Sequence, residues 1–139
     1  MGSGRGMPVH PDDPPLPDEL VELVAARFAA LGDPTRVRLL DALRRRGEGS
    51  AGDLAPEARA GYANAAKHLS LLHRARILAR RKLGARVLYR IADETVLAMC
   101  ELVCGSLTTQ LRELDALVGA RLPDAATDRD RVDRDEVPA

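Results

Sequence analysis

The sequence predicts a mainly α fold with a small β-hairpin, and three observations carry that reading. Apolar residues recur at three- and four-residue spacing in segments opening at Asp18, Pro34, Tyr62 and Asp93. Between the last two segments, Ile77–Arg81 and Arg86–Ile91 have the length and composition of short strands. They are joined through Lys82–Leu83–Gly84–Ala85, where Gly84 can supply the positive φ of a tight hairpin. Aromatic residues make up only 2% of the chain, so the core must be built from Leu, Val, Ile and Ala, which suits helices. Helices in this order, closed by a cationic hairpin, compose a winged helix-turn-helix.

The elements follow one another with identifiable punctuation. Residues 1–17 hold five prolines and no helical period, which reads as a flexible arm, with Met1–Gly6 an expression-tag remnant. A winged-helix domain is expected over 18–122. Asp18 is placed to cap a first helix to about Leu31, with Leu20, Leu23, Val24, Phe28 and Leu31 as its buried stripe. Gly32 stops it, and Asp33–Pro34 restarts the chain as an N-cap with proline at the first helical position. The second helix carries Val37, Leu39, Leu40 and Leu43 and ends near Arg46–Gly47, with Arg44, Arg45 and Arg46 favourably placed in its last turn. Ser50 can cap a third helix from Ala51 to about Arg59, which Pro56 should shorten or bend. After an Ala60–Gly61 turn, Tyr62 to about His73 forms a fourth helix with Ala65, Leu69 and Leu72 inward.

Asp93 then opens a long last helix to about Ala120. Its residues Leu97, Cys100, Cys104, Leu107, Leu111, Leu114 and Val118 are spaced alternately by three and four. That is a heptad seam, longer than a small monomer can cover, and a second copy is its simplest partner. Residues 123–139 are charged and nearly free of large apolar side chains, which predicts a disordered tail.

The formal net charge of zero hides a segregation. Between Pro34 and Ala92 stand 14 Lys/Arg against 4 Asp/Glu, a balance of +10, and the flanks carry −10. A cationic module between acidic flanks points to a polyanionic partner. The 139 residues suffice for one domain, and no apolar run is long enough for a membrane span. Two cysteines four residues apart make no secreted disulfide framework, which predicts a cytoplasmic protein. Three histidines, no nucleophile motif and no glycine-rich phosphate loop leave no catalytic constellation, so the chain is not expected to be an enzyme.

Over roughly Val24 to Val118 the chain resembles the ArsR-type family of bacterial metal- and redox-responsive repressors. The carriers are Ala30-Leu31-Gly32-Asp33-Pro34-Thr35-Arg36-x-Arg38-Leu39-Leu40, Asp53-Leu54-Ala55 and Lys67-His68-Leu69-x-x-Leu72. Arg80-Arg81-Lys82-x-Gly84-x-Arg86-x-x-Tyr89-Arg90-Ile91 completes them. The resemblance implies a homodimer that pairs through its first and last helices. It also implies double-stranded operator DNA as partner, with Tyr62–His73 the recognition helix in the major groove and the hairpin beside it.

Within that frame Asn64 can read adenine with both ends of its amide, and Lys67 can reach a guanine edge or a phosphate. Tyr62, Ser70 and Arg74 complete the expected contact set on the helix, and His68 is divided between phosphate contact and a structural hydrogen bond. Arg80, Arg81, Lys82 and Arg86 of the hairpin are expected on phosphates or in the minor groove. The effector is less determined. The family's Cys-x-Cys of the third helix has no counterpart between Gly49 and Pro56, and the last helix has no histidine for a zinc site. Cys100 and Cys104 remain, at i and i+4 on one helix face. Two such pairs could hold a soft or borderline metal ion, act as redox thiols, or simply pack as small hydrophobes. His10 with Asp12 and Asp13 offers hard ligands from the arm. Two other readings stand beside the effector-released repressor: a regulator without a small-molecule effector, controlled by a partner protein, and a winged-helix protein-interaction module.

Overall fold

The structure is a computed structural model that describes residues 10–121. The expected tag remnant, the start of the arm and the charged tail lie outside the described residues. The chain divides after Asp93 into two compact units, each described by itself.

The first unit holds α1 (Asp18–Leu31), α2 (Pro34–Arg46), α3 (Ala51–Leu54), α4 (Tyr62–Arg74) and the strands β1 (Leu78–Leu83) and β2 (Arg86–Ile91). Its core is aliphatic, as the scarcity of aromatics requires. Leu39 and Leu43 of α2, Leu54 of α3, Leu69 and Leu72 of α4, and Ile77 are fully buried. Each such side chain contributes about 1.5–3 kcal/mol of transfer free energy.

Helix ends follow local chemistry. The Asp33 carboxylate accepts the Arg36 backbone N–H at 3.0 Å and Pro34 sits in the first turn, as expected. Gly47 ends α2 with φ 88°, a conformation glycine takes without strain. Ser50 and Asp53 form a reciprocal capping box at α3, Asp53 N to Ser50 Oγ at 3.1 Å and Ser50 N to Asp53 Oδ2 at 3.0 Å. Helix α1 differs from expectation: its N-cap is Pro17, and Asp18 lies inside the first turn without a side-chain cap.

Further expectations are corrected. The third helix ends at Leu54 rather than near Arg59, and a separate turn over 55–59 takes its place. Ala60 N donates to Ala55 O at 3.0 Å, and Arg59 holds a left-handed φ of 57°. Helix α4 closes the same way. Ile77 N donates to Leu72 O at 3.0 Å and Arg76 N to His73 O at 2.9 Å, with Arg76 at φ 64°. These are the paired bonds of a Schellman close, with arginine where glycine is usual.

The hairpin is longer and its turn tighter than expected. Leu83 pairs with Arg86, so only Gly84 and Ala85 form the loop. Gly84 alone is left-handed, φ 63°, the sign pattern of a type II′ turn. Gly49 adds a bridge to the other edge of β2, with Gly49 N to Tyr89 O at 3.1 Å and Tyr89 N to Gly49 O at 2.8 Å. A Cβ on Gly49 would sit 3.2 Å from the Leu54 side chain, so any larger residue here would press on Leu54.

The expected buried stripe of α1 is covered only in part, with Val24 and Leu31 half-buried. Among its residues Leu20, Leu23 and Phe28 are exposed, and only Ala30 of the helix is buried. Val37 of α2 is likewise exposed. The periodicity is real, but the first unit covers it only in part. The second unit contains α5 (Glu94–Arg121), 28 residues long. Its seam residues Leu107, Leu111 and Leu114 are more than half exposed, with Leu102, Val103 and Leu117 beside them. Among the described residues no helix is long and apolar enough to cross a membrane.

Candidate nucleic-acid interface

Helix α4 divides its side chains by its own periodicity. Ala65, Leu69 and Leu72 are buried, while Ala63, Asn64, Lys67 and Arg74 are exposed, with Ser70 half-buried between them. Tyr62, 66% exposed, stands at the helix start. The N-terminal turn, capped by Gly61 without a side-chain bond, is open to solvent. Asn64 and Lys67 therefore project together from an outward helix face, as a groove-reading helix requires.

His68 does not share that face. Its Nδ1 lies 3.0 Å from Arg36 Nη1 and its Nε2 lies 4.0 Å from the Asp33 carboxylate, with the side chain only 16% exposed. Of its two expected roles the structure supplies the hydrogen bond. Arg36 continues the contact inward, donating from Nε to Ala30 O at 2.6 Å and from Nη2 to Ala29 O at 3.3 Å. It closes the C-terminus of α1 and ties it to α4.

The hairpin presents two chemically different faces. By strand alternation and the observed register, Arg80, Lys82 and Val87 lie on one side, and Arg81, Arg86, Leu88 and Arg90 on the other. Arg80 and Lys82 are exposed and line a surface hollow of ≈ 330 Å³ with Arg81 and Val87. On the other side Arg81 forms a two-pronged pair with Glu48, Nε to Oε2 at 2.7 Å and Nη2 to Oε1 at 2.9 Å. Arg86 donates to Asp53 Oδ2 at 2.6 Å and to Ser50 Oγ at 3.3 Å.

These contacts belong to a wider pattern. The four acidic residues between Pro34 and Ala92 are all ion-paired, Asp41 to Arg44 and Arg45, Glu57 to Arg45 and Arg46, and Glu48 and Asp53 to the hairpin. Each carboxyl is held below its ordinary range. For Glu48 the chief cause is the Arg81 hydrogen bond, and for Asp53 it is the Ser50 backbone N–H. For Asp41 and Glu57 it is the side-chain bonds from Arg44 and Arg46. Lys67, Arg74, Arg80 and Lys82 keep no ion pair among the described residues, nor do Arg38, Arg59, Arg76 and Arg90, whereas Arg81 and Arg86 are engaged.

Cys100 and Cys104 lie one turn apart on α5, Cys104 exposed and Cys100 half-buried, both as free thiols. Burial pushes the Cys100 thiol up, and the neighbouring Cys104 adds to it. Among the described residues no group of three or more His, Cys, Asp or Glu is arranged to hold a metal ion. His10, Asp12 and Asp13 instead bond one another in a local turn, with His10 N to Asp13 Oδ2 at 2.9 Å.

Sequence reasoning missed Arg36, Glu48 and Asp53 as parts of this surface. Asp53 carried a signal, being three residues after a Ser N-cap. Glu48 carried none, because its partner is 33 residues away and is met only through the Gly49–Tyr89 bridge.

No protein-family model matches the chain. The curated HTH-type transcriptional regulator KmtR of Mycobacterium tuberculosis is 38% identical over 82 residues, 59% of this chain and 62% of the relative. The chain thus matches less than two thirds of that relative's length. Among solved structures, the AntR antimony-specific transcriptional repressor is 30% identical with a TM-score of 0.67, over 73% of this chain and 92% of AntR. The homodimeric winged helix-turn-helix DNA-binding domain Mb0332 of Mycobacterium bovis is 28% identical with a TM-score of 0.63, over 70% of this chain and 93% of that one. Sequence motifs, a cationic hairpin and an outward helix in the matching order, and these likenesses together place the chain in the ArsR-type family of winged helix-turn-helix regulators.

Proposed function

We propose that the chain is a sequence-specific DNA-binding transcriptional regulator, a homodimeric repressor that an effector releases from its operator. The observation that carries this reading is the sorting of charge. In a module with a +10 balance, the cations without ion pairs include Lys67 and Arg74 on the outward face of α4 and Arg80 and Lys82 on the hairpin. Asn64 and Lys67 supply base readout, Tyr62 and Ser70 flank them, and the remaining cations set register on phosphates. An uncharged or apolar helix face would have favoured a protein-docking module instead. The likeness to a DNA-binding domain and to a repressor supports the same reading.

The second copy covers the apolar face of α5 and the outward stripe of α1, and the operator is an imperfect palindrome with half-sites about one helical turn apart. The release step we assign to a soft metal or a thiol-reactive compound acting on Cys100 and Cys104. Two thiols make half of a four-thiolate site, so a closed metal site needs the pair from each copy. The half-buried position and raised pKa of Cys100 favour a second reading, a regulator whose cysteines only pack.

Fluorescence anisotropy with duplex DNA from upstream of its own gene tests both. Tight, salt-sensitive binding abolished by one metal or oxidant, and retained in Cys100→Ser/Cys104→Ser, establishes the effector-released repressor. Tight binding indifferent to every addition leaves the packing reading. Absence of binding to any duplex refutes the function proposed.

A further inference from the structure

Arginines on a DNA-facing hairpin are ordinarily counted as phosphate contacts, yet two of those here are already occupied. Arg81 meets Glu48 through both carboxylate oxygens at 2.7 and 2.9 Å. Arg86 meets Asp53 at 2.6 Å. An isolated exposed ion pair is weak, and a phosphate could replace the carboxylate. These two carboxylates are not isolated. Glu48 adjoins Gly49, whose two backbone bonds to Tyr89 fix it beside the hairpin. Asp53 is held by the capping box, so its oxygen stays put whether or not Arg86 is there.

The electrostatics decide against exchange. If Arg81 turned to a phosphate, the Glu48 carboxylate would lose its neutralising partner and be left near a polyanion. The gain of one contact would be offset by the repulsion uncovered. Asp53 would keep only a longer pair with Arg46, at 3.9 Å, so the departure of Arg86 uncovers part of its charge.

Resting on the DNA-binding reading above, we infer that Glu48 and Asp53 are positioning residues of the interface: they hold the Arg81 and Arg86 side of the hairpin and withdraw these two arginines from phosphate contact. Arg80 and Lys82 then carry the hairpin's share of the affinity. Hairpin reach and charge are set by two acidic residues that touch no DNA.

The test is the salt dependence of binding to a random-sequence 30-base-pair duplex. Each phosphate neutralised contributes about 0.9 to the slope of log affinity against log salt. Glu48→Gln, nearly isosteric, frees Arg81 and should steepen the slope by about 0.9 per hairpin and tighten binding. Glu48→Gln/Arg81→Ala removes both charges and should match the wild-type slope, while Arg80→Ala flattens it by about 0.9 per hairpin. A Glu48→Gln slope equal to wild type, or a flattened slope in the double variant, overturns the inference while leaving DNA binding intact. Loss of all salt-dependent binding in the wild-type protein would instead overturn the DNA-binding reading, and the inference with it. Circular dichroism of each variant confirms an unchanged fold.

Discussion

Arg36 and His68 meet at 3.0 Å, Nη1 to Nδ1, across 32 residues of sequence. A guanidinium only donates, so Nδ1 accepts, which assigns the ring proton to Nε2 on the side of Asp33. The same guanidinium caps the Ala29 and Ala30 carbonyls at the end of α1. The Asp33-Pro34-Thr35-Arg36 run is thus a two-helix joint. Asp33 caps the start of α2, and Arg36 closes the end of α1 and steadies α4.

Removing this joint should cost stability before it costs DNA contacts. Arg36→Ala leaves carbonyls and an imidazole without their donor, an expected loss of about 2 kcal/mol in urea denaturation. Arg36→Lys should recover little, because one ammonium cannot reproduce a planar fork. His68→Leu should lose about 1 kcal/mol yet keep the wild-type salt slope of DNA binding. A flattened slope in His68→Leu would return His68 to the phosphate contacts.

Acid should loosen the first unit through the four paired carboxylates between Pro34 and Ala92. The folded-state pKa values of Asp41, Glu48, Asp53 and Glu57 are lowered, so the unfolded chain takes up protons first as pH falls. The stability they supply is complete above the ordinary carboxylate range and is lost as pH drops through it toward the folded values. The expected urea midpoint is level down to about pH 5 and declines below about pH 4.5. Glu48→Gln should show a shallower decline. A midpoint that rose with acid would contradict these pairings.

What the sequence made legible was whatever local chemistry decides. The Asp33 cap, the Ser50 cap, the inward set Ala65, Leu69 and Leu72, and the Gly84 turn were readable because each depends on neighbours within about four residues. The end of the third helix was not, because Arg59 takes a left-handed φ that sequence reading assigns to glycine. The apolar stripe of α1 was legible but its cover was not, since periodicity reports an apolar face and not what packs on it. At the interface the outward residues of α4 were legible, whereas the engagement of Arg81 and Arg86 was not, because Glu48 and Asp53 reach them only through tertiary pairing.

The two thiols should differ in reactivity. The thiolate is the nucleophile, and burial raises the Cys100 pKa while Cys104 is exposed. Limited iodoacetamide at about pH 8, read by peptide mass, should label Cys104 first. Equal or reversed labelling would mean that Cys100 has an activating environment, strengthening a sensory role for it.

Helix α5 should dictate assembly. Leu107, Leu111 and Leu114 are 52%, 60% and 54% exposed, and they recur at the spacing of a coiled-coil seam. A continuous apolar face of this kind marks an interface rather than a solvated surface. Leu111→Glu places a charge in the middle of the seam, where burial against a second copy would leave it unpaired. Sedimentation should then report a monomer in place of a dimer. The far-ultraviolet dichroism should be little changed, because Leu111 is exposed within its own chain. DNA binding should weaken by tenfold or more, since each half-site loses the effective concentration that the second copy supplies. A Leu111→Glu protein that still sedimented as a dimer would move the interface away from this seam, leaving the outward stripe of α1, Leu20, Leu23 and Phe28, as the next surface to probe.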